Sequence, residues 1–157
     1  MRAALAGTAS VLLLALAGCG GSGSSGSSDA GKDPDADQFS AVADQSTCLA
    51  DATAVSSLPD GYPSDFPMPE HTVVYNAQDR GADGVVVTGV TDLAFKDVLA
   101  ALNGPAQDAG YKISNGETEE HDAEANWSGN GYRGRWAIRE SATCPGQTVI
   151  QVLSSTD

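Results

Sequence analysis

The sequence predicts an α+β domain of two layers, a mostly antiparallel sheet in ββαβββ order with one helix packed on one face. Three observations predict it. β-branched runs broken by turn residues recur between residues 73 and 153, one stretch near residue 95 switches to a helical period, and Asn130-Gly131 sits between two alternating segments.

The elements follow in order. Val73-Val74-Tyr75 and residues 84–91, with Val85, Val86, Val87 and Val90, are separated by Asp79-Arg80-Gly81-Ala82-Asp83-Gly84. That is turn chemistry between two β-branched runs, so they are expected to form a hairpin. Thr91 or Asp92 is placed to cap a helix whose apolar residues Phe95, Val98, Leu99 and Leu102 fall on one stripe. Asn103-Gly104-Pro105 interrupts it, residues 106–109 add a final turn, Gly110 stops it, and Tyr111-Lys112-Ile113 starts the next strand.

Asn-Gly favours a two-residue hairpin turn because both residues tolerate positive φ. With Asn130 and Gly131 at the centre, Ala125 opposes Trp136, Ala123 opposes Ile138 and Trp127 opposes Gly134. Large residues meet small ones on a face that seeks a core. The other face carries Glu120, Asp122, Glu124 and Asn126 against Arg133, Arg135 and Arg139, with Asp122 across from Arg139 and Asn126 from Arg135. A strand over residues 148–153 follows the turn at Cys144-Pro145-Gly146.

Ahead of this domain the composition changes three times. Residues 1–18 hold one cation, Arg2, and an apolar run that ends at Leu16-Ala17-Gly18. The run is about 14 residues where a spanning helix needs roughly 20, which makes it a signal peptide. Residues 19–38 open on Cys19 and continue as Gly, Ser, Asp and Ala, a flexible tether with a reach of roughly 25 Å. Residues 39–70 form an ordered lead-in and a strap rich in proline, Leu58-Pro59-Asp60-Gly61-Tyr62-Pro63-Ser64-Asp65-Phe66-Pro67-Met68-Pro69, expected to lay Tyr62, Phe66 and Met68 on the core of the domain at 71–157.

Leu16-Ala17-Gly18-Cys19 directly behind the apolar run resembles the lipobox of bacterial lipoproteins. The resemblance implies cleavage before Cys19, a diacylglycerol on its thiol with a further palmitate-type acyl chain, and anchoring on the extracytoplasmic face of the cell membrane. Two or three chains hold stably, since each buried methylene contributes about 0.8 kcal/mol. The chain is also similar to small uncharacterised lipoproteins of high-G+C Gram-positive bacteria, through the Gly/Ser tether, the Tyr-Pro-Ser-Asp-Phe-Pro strap and the short α+β domain. That likeness implies a fold and no activity.

With Cys19 lipidated, Cys48 and Cys144 remain as an even pair in an oxidising compartment, and a disulfide is expected. It closes a loop of about 97 residues, which stabilises by somewhat over 4 kcal/mol on loop-closure entropy. Loss of Arg2 leaves seven basic against 21 acidic residues, −14 in all. Such a charge disfavours nucleic acid, anionic headgroups and anionic wall polymers and leaves room for divalent cations or a basic protein. The anchor and tether make an envelope or membrane protein the expected partner.

Catalytic and cofactor chemistry finds little support. Glu117, Glu119, Glu120, His121, Asp122 and Glu124 hint at a metal, yet strand alternation sends them to opposite faces, and His71 is the only other imidazole. No metal, cofactor or enzyme activity is expected. There is no Gly-x-Ser-x-Gly, no free Cys once Cys48 and Cys144 are paired and Cys19 carries lipid, and no Gly-rich loop between a strand and a helix. Asn126-Trp127-Ser128 matches a glycosylation sequon by chance in mid-strand. Trp127, Trp136 and Tyr132 share a face and form the candidate ligand surface. The functional expectation is a non-catalytic interaction module, with a carrier or sensor of a small apolar ligand or lipid as the alternative.

Overall fold

The structure, a computed structural model, describes residues 47–157. The expected signal peptide, Cys19, the expected tether and the start of the lead-in lie outside the described residues. Six strands, β1 (Val73–Asp79), β2 (Val85–Thr91), β3 (Lys112–Thr118), β4 (Asp122–Gly129), β5 (Tyr132–Glu140) and β6 (Thr148–Thr156), form one sheet in the order β1-β2-β6-β5-β4-β3. Every neighbouring pair is antiparallel. Two short helices, α1 (Phe95–Asn103) and α2 (Pro105–Asp108), link β2 to β3. The fold class is α+β, mostly sheet.

Four strands follow the helices, one more than ββαβββ counts. Lys112–Thr118 and Asp122–Gly129 are separate strands because the chain reverses between them, with the Glu119 N–H donating to the Asp122 carbonyl at 2.8 Å. Glu119, Glu120 and His121 therefore stand in a turn and not on the strand where alternation placed them. β3 itself is irregular, since its pairing with β4 shifts between Ser114 and Glu117 and Asn115 takes a φ of 48°.

The β1–β2 hairpin forms where the turn residues predict it. Gly81–Asp83 make one 3₁₀ turn, Asp79 Oδ1 accepts the Gly81 N–H at 2.8 Å, and the Arg80 N–H donates to the Gly84 carbonyl at 2.8 Å. β2 is buried along its whole length, as its near-continuous apolar sequence requires, and it lies inside the sheet between β1 and β6.

Helix α1 keeps the predicted stripe, with Phe95, Val98 and Leu102 buried and Leu99 partly so. Its cap differs. The N-cap is Ala94, without a side-chain bond, because Thr91 is already in β2 and its hydroxyl donates to the Glu70 carbonyl at 3.1 Å and accepts the Leu93 N–H at 3.3 Å. Pro105 opens α2, where its missing N–H costs nothing, and Gly110 at φ 91° ends it. The Tyr111 N–H then reaches back to the Ala106 carbonyl at 2.9 Å.

The β4–β5 register is the one the Asn-Gly turn predicts: Asp122 faces Arg139, Ala123 Ile138, Ala125 Trp136, Asn126 Arg135 and Trp127 Gly134. Asn130 and Gly131 take φ of 54° and 82°. The inward side of this hairpin shares one core with Val87, Ile150 and Val152 of the central strands and with Phe95, Val98, Leu102 and Ala106 of the helices.

Cys48 and Cys144 are bonded, with Cα atoms 5.6 Å apart. The bridge joins the lead-in to the β5–β6 connection. Beside it the Leu49 N–H donates to Gln147 Oε1 at 2.9 Å, and the Val55 N–H donates to the Val74 carbonyl at 2.9 Å, tying the lead-in to β1.

Gly134 admits no side chain: a Cβ there would lie 1.9 Å from the Leu153 carbonyl oxygen and 2.7 Å from Cζ2 of Trp127. Because the first obstacle is backbone of the adjacent strand, relaxation requires β5 and β6 to part. Gly134→Ala is therefore expected to destabilise the domain by about 3 kcal/mol. Urea denaturation followed by tryptophan fluorescence measures this, and a midpoint equal to wild type contradicts the packing described.

Candidate functional site

The core beneath the strap is built from aromatic rings. Trp127 projects from β4 because its cross-strand partner is a glycine, and the strap brings Phe66 onto it with ring centroids 4.9 Å apart. Tyr111, arriving from α2, meets Trp127 edge-on at 5.4 Å and Phe66 at 5.4 Å, while Tyr62 meets Phe66 at 6.1 Å. Trp127 and Trp136 retain 2% and 1% of their exposure. Tyr132, the third residue of the candidate ligand surface, is half-buried and packs against the same core. A ligand reaching the two indoles has to displace Phe66.

Among the described residues, three polar atoms in this core have no hydrogen-bond partner: the Tyr62 hydroxyl and the Nε1 atoms of Trp127 and Trp136. An unmet buried donor costs about 1–3 kcal/mol. The strap above them is held by Asp65. Its Oδ1 accepts the Tyr111 hydroxyl at 2.6 Å and its Oδ2 accepts Asn130 Nδ2 at 2.9 Å. Asn130 Nδ2 also donates to the Ala109 carbonyl at 3.1 Å. One carboxylate thus joins the strap, the exit from α2 and the β4–β5 turn.

Burial, reinforced by the bond to Asp65, pushes the Tyr111 phenol up to about 12. Burial likewise raises Tyr62, and raises Tyr75 against the opposing hydrogen bond from the Thr47 backbone.

The sequence-predicted ionic residues separate. His121 Nδ1 lies 2.9 Å from Glu140 Oε2 in the β3–β4 turn, whereas His71 Nδ1 lies 3.3 Å from Asp92 Oδ1 at the end of the strap; all four groups are exposed. Among the described residues no three His, Cys, Asp or Glu side chains gather in a way that could hold a metal. On the outer face of the hairpin, Arg135 pairs with Glu124, two residues along β4 from the Asn126 it faces. This diagonal pair satisfies the one carboxylate that also confronts another directly, Glu117 on β3.

The sequence does not point to a polar cavity of about 400 Å³ at the end of the sheet, lined by Gly61, Asp79, Asp83, Arg133, Ser155 and Thr156. Its residues come from the strap, the β1–β2 turn, β5 and β6. Only the pairing of β6 between β2 and β5 brings them together, so no local motif signals it.

Comparison with known protein families, curated proteins and solved structures finds no match. No helix among the described residues is long and apolar enough to cross a membrane.

The raised phenols fix the sign of an alkaline effect. The fold favours the neutral phenol, so the contribution of Tyr111 is complete below about pH 10 and declines as pH rises through about 12. Unfolding midpoints are expected to fall across that window. Tyr111→Phe, which cannot ionise there, is expected to show a shallower fall even though the loss of the Asp65 bond lowers its stability at neutral pH. Identical slopes in the two proteins rule the linkage out.

Proposed function

We propose that the chain is a lipoprotein, exported, cut before Cys19 and anchored by lipid on the outer face of the cell membrane, where residues 71–157 act as a non-catalytic interaction module for an envelope or membrane protein. Leu16-Ala17-Gly18-Cys19 behind a short apolar run supports the anchor. A tether of about 20 residues then holds the domain near the membrane at high effective concentration for a partner. In this reading the helices and strap form one layer and the sheet the other, which leaves the far side of the sheet at β3, β4 and the start of β5 for contacts, while Thr88, Val90 and Val149 on that side are buried.

The observation that carries the interaction reading is the outer edge at β3. Six of the seven residues of Lys112–Thr118 are exposed, and the strand pairs on one side only, with β4. An edge of this kind offers unpaired backbone N–H and C=O groups to a strand from another protein. The opposite edge, β1, is partly covered where Val55 bonds to Val74.

In-cell cross-linking of the tagged full-length protein, followed by mass spectrometry, tests the proposal with a Cys19→Ala control. Reproducible capture of one membrane or envelope protein, lost in the control, is the expected result. Capture that persists equally in Cys19→Ala removes the anchor from the mechanism, and abundant background alone removes the module.

A second reading, a carrier or sensor of a small apolar ligand or lipid, draws on the unpartnered donors of the aromatic core, Tyr62 of the strap and Trp127 and Trp136 of the sheet. A molecule with an apolar body and hydrogen-bond acceptors would satisfy them once Phe66 moved aside. It predicts a small molecule in stoichiometric amount in the organic extract of protein purified from its native membranes, and a change in tryptophan fluorescence when that extract is added back. An empty extract ends this reading.

A further inference from the structure

Charge on this domain is segregated by the sheet. Lys112, Ser128, Arg133 and Ser155 stand in one row across β3, β4, β5 and β6, and Ser114, Asn126, Arg135 and Leu153 form the next. Strand alternation puts both rows on the side opposite Trp127 and Trp136. Four of the six Lys and Arg residues in 47–157 lie on this side: Lys112, Arg133, Arg135 and Arg139. Of the 16 Asp and Glu residues in the same span, only Glu117, Asp122 and Glu124 are strand residues facing that way. The face carries net charge +1 while the remainder of the span carries −11.

Within the face the cations differ. Arg135 is engaged with Glu124, and Arg139 faces Asp122. Lys112 and Arg133 are exposed and form no ion pair among the described residues. They are separated by two strand spacings, about 9.5 Å. Exposed Ser128 lies between them, with exposed Ser114 and Asn126 in the row beside them as hydrogen-bonding groups.

We propose that this corner of the sheet docks a short acidic segment of a partner protein, one presenting two carboxylates about 10 Å apart on one side, the rise of roughly three residues in the polyproline II conformation, whose three-residue repeat returns both side chains to the same face. The proposal rests on the interaction-module reading and names its surface. Complementarity of charge selects the occupant. The basic corner is only about one Debye length across, roughly 8–10 Å, so attraction acts on a short ligand. A long polyanion running past the corner meets the acidic turn at Asp79 and Asp83 beyond Arg133, and the −11 remainder repels it. Lys112 also begins β3, so a segment seated there lies beside the open strand edge.

The test uses the full-length lipoprotein in non-ionic detergent micelles and a rhodamine-labelled peptide carrying two glutamates three positions apart in a glycine background, read by fluorescence anisotropy. Binding is expected, weakening as sodium chloride is added. The double variant Lys112→Ala, Arg133→Ala is expected to bind about tenfold more weakly with an unchanged circular dichroism spectrum, and Lys96→Ala on α1 to bind as wild type. Equal binding of the glutamine version of the peptide, wild-type affinity in the double variant, or no binding overturns the proposal. Cellular cross-linking separates this from the broader reading: a partner still captured by the double variant leaves an interaction module standing and excludes this face.

Discussion

The stacking of Trp127 over Gly134 is the constraint on which the other contacts depend. Absence of a side chain at residue 134 leaves room for the indole to lie across β5, with Cζ2 only 2.7 Å from where a Cβ would be. The indole in turn forms the floor for Phe66 and Tyr111, each with its ring centroid within 5.4 Å of it. Strap and helix exit, far apart in sequence, are thus seated on one side chain. Asp65 completes the assembly at the surface by accepting hydrogen bonds from Tyr111 and Asn130. An apolar contact sets the depth of the strap, and a polar one sets its lateral position.

The same hairpin shapes the electrostatics. Its inner face is occupied by indoles, alanines and an isoleucine, so from Asp122 to Arg139 its charged residues stand on the outer face. Three arginines on β5 are the result, in a protein whose formal charge is −13. Net charge describes the average surface and predicts what is repelled at a distance. At short range the register decides which cation is neutralised: Glu124 reaches Arg135, and Arg133 is left with serines on either side. A basic corner on an acidic protein follows from that pairing.

Local chemistry was legible wherever a short stretch carries its own geometric demand. Asn130-Gly131 needs positive φ, and this set the β4–β5 register residue by residue. The stripe of Phe95, Val98 and Leu102 specified the buried face of α1. Helix capping was less legible, because Thr91 has a competing use in β2 and its hydroxyl bonds to the Glu70 carbonyl. The break at Glu119–His121 was hidden because residues 117–124 hold no glycine, proline or asparagine to mark a turn, and only the return of the chain from β3 to β4 shows it.

By itself, the sequence determined the antiparallel class, the helix stripe and the hairpin register, since each depends on period or turn chemistry, and the Cys48–Cys144 pairing was expected once the lipobox resemblance set Cys19 aside. Tertiary structure alone decided that β6 inserts between β2 and β5. That insertion gathers Asp79, Asp83 and Arg133 around one cavity and aligns Lys112, Ser128, Arg133 and Ser155 in one row. The physical reason is range. Turn and helix preferences act over a few residues, whereas the place of a strand in a sheet is chosen by the burial it completes, and the slot that β6 fills exists only once the helices have carried the chain to the far edge and β3, β4 and β5 have returned toward β2.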